Sequence, residues 1–596
     1  MHKSNHLIII TKTTTKMIKK IPLLILSFIF MKDSQAQCML RELSLNEKAQ
    51  ASVLIVEARV KDKFSFWNDM HTRIFTSNKL EIYKIFKGQV NQAEVELITE
   101  GGIVGSDKHT VQPGLELEIG NAGIFFMLNG ETPNQFIPYG GVHGLIEYDK
   151  EIETASDPFK QYKNIPELYK DLTILTGPCK EYKQLKAPED QKPNLKATVA
   201  INNFNPSTVS AGTGTQLTIN GSGFGNAQGA TAYVEFQDAD AGGGNNYMQP
   251  LASEYVSWSD NQIIIRVPKR AGTGTFRVRN GASTASSSSA LTVTYSHLNV
   301  PYNGNVFQVS FIDKHLNGGY IWQMNTDFAN NTAAKEAFNR AFENWRCKTY
   351  VKWEVGSTTT TNVTGFDGID VIRFDTGAEL PAGILGTCYS YYNVCGSGSN
   401  MTWYVNEQDL VFDHATNWNF GPAAPSSNER DFESIALHEL GHAHMLGHVI
   451  NTSEVMYYGL GAGQSRRILN SNDMEGGNYI LNRSIASGAC SNGPMIPFNS
   501  SNCSGAYTTV AENNNSLPVN IYPNPSEGIF TIWMNEMDRH DIEITVNNLL
   551  GQQIYTNRLS MEDRKEVNLS GYSKGVYFLR MESGDKIVVQ KLYLTK

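Results

Sequence analysis

Short runs in which apolar and polar side chains alternate dominate the chain, and a period of two predicts half-buried strands. Residues 51–60, 80–86, 93–97 and 124–128 are such runs. Joined by Gly-rich turns, they predict a small, β-barrel-like N-terminal domain over residues 37–195. The texture changes after the linker-like Lys192-Pro-Asn-Leu-Lys-Ala. Over 196–297, alternating runs separated by turns such as Gly221-Ser-Gly-Phe-Gly225 predict an antiparallel sandwich. Helical periodicity then enters. Ala334, Ala337, Phe338, Ala341, Phe342 and Trp345 recur at i, i+3, i+4 spacing, with Thr332 as a candidate cap. Strands at 351–355 and 369–374 and a second helix from near Glu429 complete a mixed α/β domain at 298–498. A Ser/Asn-rich linker at 499–518 precedes a last β-rich unit at 519–596. The fold class expected is multidomain, with one α/β domain flanked by all-β domains.

Composition agrees with this. The 596 residues favour about four domains. An apolar fraction of 40% supplies packed cores, and a net charge of −9 excludes a global basic field, so no nucleic-acid partner is expected. Lys19-Lys20, the apolar run 21–30 and Ser34-Gln35-Ala36 read as a secretory signal over 1–36, with Met17 as an alternative start. That apolar run is too short to span a bilayer, and no later segment is long and apolar enough to be a transmembrane segment.

Export permits disulfides. Seven cysteines follow the expected cut, and pairing each local unit gives Cys490–Cys503, Cys388–Cys395 and Cys38–Cys179, with Cys347 left as a buried thiol. No CxxC pair is present, which argues against a cysteine zinc site.

The chemistry concentrates in Ser434-Ile-Ala-Leu-His-Glu-Leu-Gly-His-Ala-His-Met-Leu-Gly-His448. His438 and His442, four apart, project from one helix face and can bind one zinc ion. Glu439 reaches a metal-activated water and is the expected general base. His448 lies six residues after His442, so the chain has to leave the helix and turn back for it to join them. His444 projects to another side of the helix and is expected near the site or in solvent.

These residues resemble the HExxHxxGxxH motif of metzincin zinc peptidases, with Met445 standing where the family has glycine. Either Met445 adopts a positive φ or the turn is reshaped through Gly447. Glu454-Val-Met-Tyr-Tyr458 resembles the Met-turn of that group, implying Met456 as an apolar floor under the histidines and Tyr458 as a zinc ligand or transition-state support. Leu469, Asp473, Gly476 and Ile480 resemble its closing helix, 383–390 its substrate-aligning edge strand and 409–413 the strand after it. Residues 196–297 resemble the IPT/TIG immunoglobulin-like sandwiches. Residues 519–596 resemble the C-terminal β-sandwich sorting domain of type IX secretion, implying export across the outer membrane and release or surface attachment.

The implied function is a secreted or cell-surface zinc endopeptidase acting on protein or peptide substrates laid against the edge strand. A gluzincin-like rival replaces His448 by Glu454 or Glu475. Another reading is a surface adhesion protein with an inert zincin domain. Asp367, Asp370 and Asp375 are candidates for calcium, and more readily loop and strand-end charges. Residues 37–195 carry no obvious chemistry, and chaperoning, masking of the active site or binding remain open for them.

Overall fold

The structure is a computed structural model. It describes residues 40–149, 153–186, 198–229, 231–244, 246–281, 283–377, 379–499, Cys503 and, with short interruptions, 519–595. The expected signal, Cys38 and nearly all of the 499–518 linker lie outside the described residues.

In the N-terminal domain, strands Leu54–Trp67, Ile74–Lys87, Glu94–Glu100, Gln135–Pro138 and Ala122–Asn129 pair in that order, and the last closes back on the first. The ring is a small barrel. Leu54, Val56, Ala58 and Val60 face one core, while Ile55 joins Leu168 and Leu172 of helix Ile165–Thr176 in another. Alternation here divides two buried faces rather than a wet and a dry one. Strand Asp107–Gln112 leaves this barrel and pairs antiparallel with Gly386–Cys395 of the α/β domain.

Residues 200–297 form the expected sandwich. One sheet carries Ala200–Asn205, Gln216–Ser222, Gln262–Arg266 and Tyr255–Trp258, and the other is built around Ala232–Gln237 and Arg277–Asn280. Leu217, Ile219, Phe236, Ile263 and Phe276 fill the space between them. The last strand, Thr292–His297, runs on beyond this core to pair with Leu446–Gly447.

The α/β domain has the sheet order Trp353–Val355, Tyr320–Met324, Asp370–Phe374, Thr402–Phe412, Gly386–Cys395. Its pairings are parallel except the last, which is antiparallel. Helix Thr332–Thr349 turns its Ala334–Trp345 stripe inward. Asn331, not Thr332, caps it, because the Asn331 side chain accepts from the Ala334 N–H at 3.1 Å. Helix Phe432–Ala443 begins after Glu429, where Asp431 accepts from the Ser434 N–H at 3.0 Å. Every residue of this helix is buried, so it has no face in solvent.

Three cysteine expectations are corrected. The bonds are Cys347–Cys503 and Cys395–Cys490, with Cα separations of 5.7 and 5.5 Å. Cys347 is therefore bonded rather than free, and Cys388 is a free, buried thiol. Cys388 and Cys395 share strand Gly386–Cys395. Seven residues of extended chain hold them about 23 Å apart, far beyond disulfide reach. The suggested Cys38–Cys179 pair involves a residue outside the described ones.

The C-terminal unit packs two sheets, built on Ile529–Met534 and on Ile542–Asn547 with Gly575–Ser583, over Phe530, Ile544, Leu579 and Leu592. No described helix is long and apolar enough to cross a membrane.

Candidate metal centre

His438 and His442 point from one face of helix Phe432–Ala443, and His448 returns to meet them. One ring nitrogen from each lies within 4.8 Å of the others. Met445 makes the return: its φ is 63°, and its Sδ lies 3.9 Å from the Tyr392 hydroxyl. A left-handed residue with a side chain costs on the order of 1–2 kcal/mol. Gly447 has another task. A Cβ there would lie 2.7 Å from Ser296 Oγ, so glycine lets strand Thr292–His297 come close.

The hydrogen bonds assign the ring nitrogens. His438 Nδ1 faces the Val455 carbonyl at 2.7 Å, and His442 Nδ1 faces the Leu446 carbonyl at 2.8 Å. A carbonyl only accepts, so both Nδ1 atoms carry the proton and both Nε2 atoms carry a lone pair. These two Nε2 atoms stand 3.0 Å apart. Facing lone pairs repel unless a cation lies between them. Tetrahedral zinc with ordinary Zn–N bonds would set them about 3.3 Å apart. His448 Nδ1 meets Asp240 Oδ1 at 2.9 Å, which leaves its Nε2 for the same point. Burial, then the neighbouring imidazoles, hold His438 far below its ordinary pKa; burial takes His442 down to about 3. Neutral imidazoles with inward lone pairs fit a zinc ion.

Glu439 is fully buried, and neither carboxylate oxygen has a well-formed hydrogen bond. Burial pushes its pKa well above the ordinary value. A Cβ on Gly386 would lie 3.0 Å from Glu439 Cγ, so the edge strand passes directly against this carboxylate. Met456 is buried, and its Sδ lies 2.2 Å from where a Cβ on Gly441 would stand, beneath the turn that joins the two helical histidines.

Tyr458 is engaged elsewhere. Its hydroxyl donates to the Pro158 carbonyl at 3.1 Å, and its ring lies 6.0 Å from that of Phe159. His444 does not join the triad and is not in solvent. It is buried against Trp345 and Trp353, with Nε2 at 2.8 Å from Thr349 Oγ1. Glu454 accepts from Asn451 and Asn472 at 2.9 and 2.8 Å, and Glu475 is exposed. Neither joins the triad, against the gluzincin-like expectation. Asp370 pairs with Lys314 at 3.0 Å, Asp375 with His414 at 2.7 Å, and Asp367 accepts from the Ile369 N–H, so the three are used separately.

The edge strand is not an open edge. Arg41 N–H donates to Gly383 O at 2.5 Å, Leu40 bridges Ile384, and Asp107–Gln112 covers Cys388–Asn393. Sequence reasoning left masking by residues 37–195 open, but missed Asp240, Pro158 and the strand Asp107–Gln112 that provides the cover. A periodic pattern reports which face of a strand is apolar, not which distant strand or carboxylate meets it.

A mixed sheet with one antiparallel strand, a buried histidine triad and a methionine turn beneath it define a metzincin-type zinc metallopeptidase domain. Residues 315–481 match the family described as Matrixin, and within that class they form a matrixin domain. Residues 200–295 match the IPT/TIG domain, and 520–595 the secretion system C-terminal sorting domain. The sorting domain assigns the chain to type IX secretion and to the cell surface or exterior. A search of curated proteins gave no match. Among solved structures, a DUF3244 family protein with an immunoglobulin-like β-sandwich fold from Bacteroides vulgatus ATCC 8482 is similar. Its identity is 16% over 15% of this chain and 90% of that one, with a TM-score of 0.12, too low to carry an argument.

Proposed function

We propose that the chain is a secreted zinc endopeptidase with His438, His442 and His448 as metal ligands and Glu439 as general base. The observation that carries this reading is the pair of facing Nε2 lone pairs at 3.0 Å, completed by His448 and flanked in the same helix turn by a buried carboxylate. Zinc held there supplies a Lewis acid for water and for the scissile carbonyl. Glu439 takes the proton of the attacking water and delivers it to the leaving amine. Val455 and Leu446 carbonyls keep two ligands in one tautomer throughout. Tyr458 is assigned to hydrogen-bond the developing oxyanion once its hydroxyl leaves Pro158. A substrate peptide adds in extended form along Gly386–Cys395. The N-terminal domain lies on that side of the strand, so it has to shift before substrate enters, and the full chain is the closed form.

The test is hydrolysis of a peptide library by zinc-loaded protein freed of its N-terminal domain. Glu439→Ala is expected to lower kcat about 10²–10⁴-fold with zinc retained. Equal activity in that variant would overturn the assignment. Bound zinc with no peptide cut would favour the adhesion reading.

A further inference from the structure

We infer that the IPT/TIG domain completes the metal centre, with its Asp240 as the positioning residue for His448; this rests on the metal-ligand reading of the triad. His438 and His442 are held by their helix. His448 is not, because the helix ends at Ala443 and Met445 turns the chain away. An arm outside a helix has no i to i−4 bonds to fix it. Part of its support lies in its own domain, where the Val449 N–H donates to the Met456 carbonyl at 3.0 Å, and the rest comes from the neighbouring domain. Leu446–Gly447 pairs antiparallel with Thr292–His297, Gly447 opposite Ser296 and Leu446 opposite His297. The Leu298 N–H donates to the Met445 carbonyl at 2.8 Å, which ties down the left-handed residue.

The imidazole itself is then oriented. His438 and His442 are each held by a backbone carbonyl of the peptidase domain, whereas His448 meets a carboxylate 208 residues earlier in the chain. Asp240 sits in the short turn Ala239–Ala241, and its Oδ2 is 3.1 Å from Arg270 Nε. Arg270 also grips Asp238, which caps the same turn, and the Ala239 N–H donates to the Arg270 carbonyl at 2.8 Å. One guanidinium thus fixes both carboxylates. The next residues bring the loop against the peptidase domain: Gly242 has φ 68°, and a Cβ on it would lie 2.4 Å from the Tyr458 ring. Asp240 keeps its side chain 40% exposed, so its effect is directional more than Coulombic. It fixes the Nδ1–H tautomer and aims Nε2 inward. Carboxylates in this role typically change metal affinity by about 10–100-fold.

The experiment uses the full chain, stripped of metal, with Zn(II) affinity read by competition with a chelating dye and the absorption spectrum of Co(II) read in parallel. Asp240→Ala is expected to weaken zinc about 10–100-fold and to shift the Co(II) bands, with the melting temperature of the metal-free chain unchanged. Asp240→Asn, which keeps an acceptor oxygen, is expected to fall between Asp240→Ala and the wild type, and it decides the matter should Asp240→Ala fail to fold. Glu235→Gln, elsewhere in the same domain, is expected to leave both readouts alone. Wild-type affinity and spectrum in both Asp240 variants would overturn the inference, provided His438→Ala abolishes binding. Undiminished binding in His438→Ala would instead remove the metal reading, and this inference with it.

Discussion

The Tyr458 hydroxyl, two residues past the Met-turn methionine, donates at 3.1 Å to the carbonyl of Pro158, in a different domain and 300 residues earlier. Together with Arg41 on Gly383 and Asp107–Gln112 on the edge strand, this contact joins the N-terminal domain to the edge strand and the Met-turn tyrosine, and on the proposed function it caps the path of the substrate. A protease site engineered between residues 187 and 197, cut and followed by separation of the two parts, is therefore expected to raise kcat/KM. If the capped form outweighs the open one at least about tenfold, the rise is at least about tenfold. Initial rates before and after cutting measure it.

The loop of the N-terminal domain that carries Pro158 has an acid-sensitive anchor. Lys48 Nζ reaches Asp157 Oδ2 at 2.6 Å, with both side chains buried. Burial pushes the Asp157 carboxyl up, but Lys48 and the N–H groups of Phe159 and Lys160 outweigh it and hold the pKa below its ordinary value. A depressed carboxylate contributes stability above the unfolded pKa of about 3.9, and loses it as pH falls through the lower folded value. Amide protection of residues 155–162, measured against the intrinsic exchange rate at each pH, is expected to fall below about pH 4 and to hold steady from there to neutrality. Asp157→Asn strands the Lys48 ammonium, a change that typically costs about 3–5 kcal/mol, and should loosen the 155–162 loop at pH 7.

Zinc binding separates the three-histidine centre from its glutamate rival. His448→Ala is expected to weaken zinc by more than about 100-fold. Glu454→Gln and Glu475→Gln are expected to leave it unchanged. Dye competition on the three variants is the check.

Met445 tests the turn. It is buried, so Met445→Ala removes packing at a typical cost of about 2–5 kcal/mol. At φ 63° the usual ranking of glycine below alanine inverts. Met445→Gly should unfold at a higher temperature than Met445→Ala, by the equivalent of about 0.5–1 kcal/mol. Thermal melts of the metal-free variants give the order.

Local patterns located much of this molecule. The stripe from Ala334 to Trp345 is the inward face of its helix, and the alternation at 54–60 is a barrel strand. Disulfide pairing was not legible, because it depends on which chain ends meet in space. Cys395 ends the edge strand next to the turn after helix Ser471–Ala486, and Cys490 lies there.

The sequence alone determined that two imidazoles and a carboxylate share one helical turn, because a period of 3.6 residues fixes the relation between positions 438, 439 and 442. It also marked the unusual residue at 445. Only the tertiary structure decided that Met445 takes the left-handed conformation, that His448 returns to the triad, that Asp240 orients it, and that the edge strand is covered. Those outcomes depend on contacts between residues hundreds of positions apart, where side-chain periodicity carries no information and the packing of whole domains does.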